Sequence, residues 1–144
     1  MLSNAFSLGK PRLVVFDFEG TLLDGETMEH IGRYAGQEAY MKEVTRAGME
    51  GKICFEESLR ARVEKIKHLT RDQILRAVDD ISLMPNAKKT LERVKEDYAI
   101  AVVTGGLDFI VEHLVRKNGL YADVVFATGT VFGGQHIETV YPSN

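Results

Sequence analysis

Residues 14–27 read VVFDFEGTLLDGET: an apolar run that closes on Asp17 and Glu19 and then gives way to Gly20-Thr21. A carboxylate at the end of a buried strand loses hydration unless something compensates it. Acids two apart share one face of an extended chain and converge once the strand yields to a loop. The adjacent glycine lets backbone N–H groups turn toward an anion. A carboxylate in such a turn can attack phosphorus or hold a metal, and a second acid beside it can give and take a proton. A solvated surface turn is the competing reading of Asp-x-Glu.

Two further apolar runs, 99–103 and 124–127, resemble the first at 13–16, and all three read as buried parallel strands. Between the second and third lies a helical segment, 107–118, that Gly119 can end. Before the second lies another, opening at Pro85-Asn86 and carrying Ala87, Leu91 and Val94 on one face. Strand and helix alternating in this way predict an α/β fold with a Rossmann-like parallel sheet. TVFGGQHIETV alternates around Gly133-Gly134 and predicts a C-terminal β-hairpin.

Residues 25–83 carry no strand signal and read as helices over 26–34, 38–49, 55–69 and 71–81. Such an insertion is too long for an ordinary crossover, so it predicts a helical cap over the strand ends. The expected division is an α/β core domain of residues 10–24 and 84–144 with a cap domain of residues 25–83.

VVTGG places Thr104, Gly105 and Gly106 directly after the second strand and before a helix. A hydroxyl and unobstructed N–H groups there suit phosphate, although a plain strand-to-helix turn reads the same way. In a parallel sheet this turn and the Asp17 turn face one crevice. On a helical wheel opened at Phe55, Leu59, Val63, Ile66 and Leu69 form one stripe. Arg62 falls inside that stripe and Arg60 outside it. A cation there needs an acidic partner, a route to water, or a substrate carboxylate to grip. Glu26, in the first turn of the first inserted helix, is favoured by the helix dipole and could also meet a substrate ammonium.

The chain has 144 residues, 44% hydrophobic and 27% charged, with net charge −3. That suits one domain with an inserted lobe, and it argues against nucleic acid as a partner. The single cysteine, Cys54, excludes an internal disulfide, fits a reducing compartment and is expected to be a small buried residue. The first twelve residues lack a signal-peptide core, and no run reaches membrane-spanning length. These features predict a cytoplasmic protein without a membrane partner. Lys88, Lys89 and Lys117 read as solvent-facing.

In order along the chain, DFEGT, GMEGKICFEESLRARV and VVTGG resemble the haloacid-dehalogenase superfamily and, within it, the phosphoserine phosphatase branch. DFEGT is similar to the nucleophile motif Asp-x-Asp-x-Thr, with Glu19 where the family usually has Asp. The resemblance implies that Asp17 is the nucleophile and a Mg²⁺ ligand. It implies that Glu19 is the acid and base and lends its carbonyl to the metal. Thr21 completes the motif as a phosphate-binding residue, and Thr104 with the N–H groups around Gly105 and Gly106 would hold phosphoryl oxygens. Glu26 and Arg62 match positions that clasp the amino and carboxylate groups of phosphoserine, and Met49 and Phe55 match residues lining that pocket. The implied activity is hydrolysis of a small phosphate ester, foremost O-phosphoserine, through an aspartyl-phosphate. A phosphatase for another small ester, and an impaired phosphate- or amino-acid-binding pseudoenzyme, are the alternatives.

The family continues past the hairpin with a lysine and a Gly-Asp-x-x-x-Asp segment that this sequence does not contain. The fold is therefore expected to be a truncated form of the family's, its first strand left as an apolar edge. Either the chain is a fragment or it forms a homodimer through that edge.

Overall fold

The structure is a computed structural model and describes residues 12–142. Its strands are β1 (Leu13–Phe16), β2 (Ala99–Leu107), β3 (Val124–Gly133) and β4 (His136–Tyr141). Its helices are α1 (Thr27–Tyr34), α2 (Glu38–Met49), α3 (Phe55–Glu64), α4 (Arg71–Val78), α5 (Ala87–Val94) and α6 (Asp108–Asn118). One sheet runs in the order β1-β2-β3-β4, with β1, β2 and β3 parallel and β4 antiparallel to β3. The expected α/β sheet and hairpin are both present, the hairpin turning at Gly134 with φ +64°.

Two successive right-handed crossovers in one direction lay α5 and α6 on the same face of the sheet. Ile100 and Val102 of β2 are sealed there, at 0% and 1% exposure, against Leu91, Ile110 and Leu114. The opposite face lacks such a layer. Leu13, Val15, Val103 and Phe126 are each 44–56% exposed on it. Among the described residues β1 is also an edge strand, paired only with β2. The sequence expectation of three fully buried strands is thus corrected: the run 13–16 is covered on one side only, because no described element packs on the other.

The inserted helices leave and rejoin the sheet through two segments lying side by side. Asp24 N–H donates to the Ser82 carbonyl at 2.8 Å and Met84 N–H to the Leu22 carbonyl at 2.9 Å. Their interior (Ile31, Met41, Leu59, Ile66, Ile74) is continuous with the core beneath α5 and α6. A polar contact ties the insertion's far end to α6: Asp79 accepts from Lys117 at 3.0 Å and pairs with His113 at 2.6 Å. Lys117 is therefore a bridging residue rather than a free surface cation.

Two helices end earlier than the sequence suggests, α3 at Glu64 and α4 at Val78. Ile66, Leu69 and Ile81 still bury, from turns that carry the apolar stripe past the last helical residue. The expected burial of Cys54 is overturned. It is exposed and caps α3, its Sγ accepting from Glu57 N–H while Glu57 Oε2 accepts from Cys54 N–H at 3.0 Å. That reciprocal pair satisfies two helix-terminal donors, so the thiol serves the backbone and not the core. No described helix is long and apolar enough to cross a membrane. Residues 10–11 and 143–144 of the expected core domain lie outside the described residues.

Candidate active site

The chain leaves β1 through a tight turn in which the Phe18 carbonyl accepts from the N–H groups of Thr21, Leu22 and Leu23. Phe18 is fully buried and plugs the core, while Asp17 and Glu19 on either side of it face a cleft. Gly20, at φ +71°, supplies the left-handed residue that the reversal requires. The opening acids therefore bracket an anchor residue, and burial of that anchor offsets the cost of holding charge at a strand end.

The cleft, about 330 Å³, is walled by Asp17, Glu19, Glu26, Met49, Phe55, Arg62 and Thr104–Gly106. The expected turn at 104–106 is corrected: β2 runs on through the glycines to Leu107, with a shift of register against β3 between Val103 and Leu107. This stretch and the Asp17 turn share one crevice with the inserted helices. Thr21 is outside the wall, its N–H closing the turn on Phe18. Thr45, Gly48 and Ser58 also line the cleft and carried no sequence signal.

Thr104 is buried, and its Oγ1 accepts from Gly106 N–H at 3.0 Å. With that lone pair occupied, the hydroxyl proton is free to donate into the cleft. Gly106 N–H, expected as a phosphate donor, instead orients Thr104. Asp17 Oδ1 accepts from Phe18 N–H at 2.6 Å, which fixes the carboxylate on the cleft wall.

Arg62 is held from below. Its Nε donates to the Ser58 carbonyl at 3.1 Å and its Nη1 to Thr45 Oγ1 at 3.5 Å. Among the described residues it has no ion pair, so the intra-lobe salt bridge left open by the sequence is not formed. Burial lowers its pKa from the usual value, opposed by the charges of Glu19 and Glu26. Glu26 is the N-cap residue of α1, one position earlier than expected. Its pKa is pushed up to about 7, first by burial and then by the carboxylates of Glu19 and Glu29, against the pull of Arg62. Met49 and Phe55 stand at the rim, 82% and 52% exposed.

Three carboxyl groups, Glu26 the one pushed up to about 7, against one guanidinium make this wall acidic, so a phosphate dianion enters favourably only with a cation beside it. No group of three or more ligating side chains that could hold a metal occurs among the described residues. Hard oxygen donors at Asp17 and Glu19 nonetheless suit Mg²⁺, which keeps waters and substrate oxygens as ligands and needs few from protein.

A family model for haloacid dehalogenase-like hydrolases matches residues 14–141, and the chain belongs to that family. Within it, the chain is similar to phosphoserine phosphatases. It is 40% identical over 119 residues to the phosphoserine phosphatase of Methanocaldococcus jannaschii, covering 82% of this chain and 56% of that one. It is 34% identical to a probable phosphoserine phosphatase of Schizosaccharomyces pombe, covering 92% of this chain and 48% of that one. A solved phosphoserine phosphatase with a phospho-aspartyl intermediate analogue superposes with TM-score 0.80 at 37% identity, covering 92% of this chain and 64% of that chain. A substrate-bound phosphoserine phosphatase gives 0.80 at 36% identity, covering 92% and 63%. The chain spans about half the length of these two curated relatives.

Proposed function

We propose that this chain forms the nucleophile and substrate-recognition part of a metal-dependent phosphomonoesterase whose substrate is O-phosphoserine. The observation that carries the reading is the shared cleft: Asp17 and Thr104 meet there with Arg62, a half-buried guanidinium that has no acidic partner among the described residues. A phosphorylated amino acid has the matching groups. Arg62 would take its carboxylate, Glu26 its ammonium, and Thr104 a phosphoryl oxygen, with Met49 and Phe55 closing the rim.

In this reading Asp17 Oδ2 attacks phosphorus, and the bond from phosphorus to the seryl oxygen breaks. Glu19 gives its proton to that oxygen. Glu19 then takes a proton from water as the water oxygen attacks the aspartyl-phosphate, releasing phosphate and restoring Asp17. Mg²⁺ held by the Asp17 carboxylate and the Glu19 backbone carbonyl would offset the charge of the phosphoryl group. Residues 25–83 act as the cap domain, and residues 10–24 with 84–144 act as the core. The lone cysteine supports a cytoplasmic setting.

A second reading, binding without turnover, is favoured by a cleft wall that carries no lysine among the described residues. Phosphate release from O-phosphoserine, with and without Mg²⁺ and beside Asp17→Asn, separates the two. Release that needs Mg²⁺ and disappears in Asp17→Asn supports the phosphatase. Release unaffected by the substitution ends the nucleophile assignment, and saturable binding with no release selects the second reading.

The unpaired β1 edge and the bare sheet face beside it suit a second copy of the chain, adding strand to strand as a homodimer.

A further inference from the structure

Thr27 is 1% exposed at the first position of α1, and nothing in the sequence singled it out. Both of its donors go to one atom. Its backbone N–H donates to Glu19 Oε1 at 2.7 Å, and its hydroxyl donates to the same oxygen. The N-cap residue of α1, Glu26, makes no side-chain cap bond, so Glu19 satisfies this helix end from across the cleft. With Oε1 committed, Oε2 is the oxygen left to work. It is aimed at the glycines of β2, 3.4 Å from where a β-carbon on Gly106 would stand.

We infer that Thr27 is the positioning residue for Glu19: it fixes the carboxyl in one rotamer and presents Oε2, not Oε1, to the phosphoryl seat. Glutamate has one more rotatable bond than aspartate, and a carboxyl free to swing by about 1 Å loses up to about a hundredfold in rate. Two hydrogen bonds from one buried residue to one oxygen remove that freedom, and both are charge-assisted when Glu19 is ionised. Because Thr27 begins the inserted helices, the acid–base group is oriented only while α1 sits against the strand-end turn. Gly106 is bare on the opposite side, which leaves room for the longer side chain.

The inference rests on the phosphatase reading for its kinetic consequence but not for its geometry, so the experiment has two arms. The first measures the trans-hydrogen-bond scalar coupling between the Thr27 amide nitrogen and the Glu19 carboxyl carbon in the labelled whole chain. The expected result is a coupling in the wild type and in Thr27→Ser, weakened in Thr27→Val, which keeps the shape but not the hydroxyl. No coupling in the wild type overturns the inference, whatever the variants do. The second arm compares O-phosphoserine turnover. Thr27→Val should lower kcat about tenfold to a hundredfold with KM held within about twofold, and Thr27→Ser should restore most of it. Unchanged kcat, or an effect confined to KM, overturns the inference. A wild type that releases no phosphate counts against the phosphatase reading instead, and the coupling then decides the role of Thr27 alone.

Discussion

Phe55, at the start of α3, lies so close over Gly105 that a β-carbon there would stand 2.9 Å from its ring Cζ and 3.0 Å from Cε2. Helical lobe and β2 touch there with no room for a β-carbon unless the half-exposed Phe55 ring moves. Gly105→Ala is expected to push the ring outward, at about 1–3 kcal/mol, and to weaken O-phosphoserine binding accordingly. Phe55→Ala in the same chain should relieve most of the added cost. Urea midpoints and KM for the two single variants and the double variant measure the coupling; strictly additive effects would show that the contact does not matter.

Arg62 should discriminate by carboxylate. Arg62→Ala is expected to raise KM for O-phosphoserine about tenfold or more, the worth of a charge-assisted bond. It should leave O-phosphoethanolamine, which lacks the carboxylate, nearly unaffected. Arg62→Lys should recover only part of the loss, because an ammonium cannot present the planar fork. Equal losses on both esters would remove Arg62 from substrate recognition.

Glu26 sets a pH dependence of stability with a definite sign. Its carboxyl titrates near 4.5 when unperturbed and at about 7 in the fold. Between those values the folded protein keeps a proton that the unfolded chain has released. Stability from this group therefore falls as pH rises from about 4.5 to about 7, and the penalty is complete above that range. Urea denaturation of the metal-free protein at pH 5 and pH 8 should show a larger loss for the wild type than for Glu26→Gln. Matching losses would mean that another group governs the slope.

The bare β1 edge should show itself in solution. Val15 is 56% exposed on a strand whose outer side is unpaired among the described residues. Sedimentation velocity is expected to give concentration-dependent association for the wild type, and Val15→Lys should shift it toward monomer. A wild type that stays monomeric across the accessible concentration range would contradict the pairing.

The strand starts, the Asp17 turn and the place of Thr104 in the crevice were legible because each joins a short apolar run to glycine, a pattern that depends on neighbours in sequence. The run of β2 past Val103 to Leu107 was not, since pairing with β3 decides it. Arg62 was legible for a related reason: helical periodicity alone turns it toward Leu59 and Val63, both buried here. Thr27, Thr45 and Ser58 were not, since their roles depend on partners across the fold. Thr27 reaches back eight residues to Glu19, and Thr45 meets Arg62 from a different helix. Cys54 was misread because average burial of cysteine outweighed a local sign. Cys-x-x-Glu ahead of a helix has the spacing of a capping box, as Thr70-x-x-Gln73 also does. The half-bare sheet was foreseen at its edge but not across its face, because exposure of a strand is decided by what packs on it.

That capping role has a practical side. Cys54 is the chain's sole cysteine, exposed, and next to Phe55 on the rim. A thiol-directed fluorophore would therefore attach at one place, a residue away from an aromatic ring on the cleft wall. Such a conjugate would turn occupancy into an optical signal, readable even in a variant that performs no chemistry.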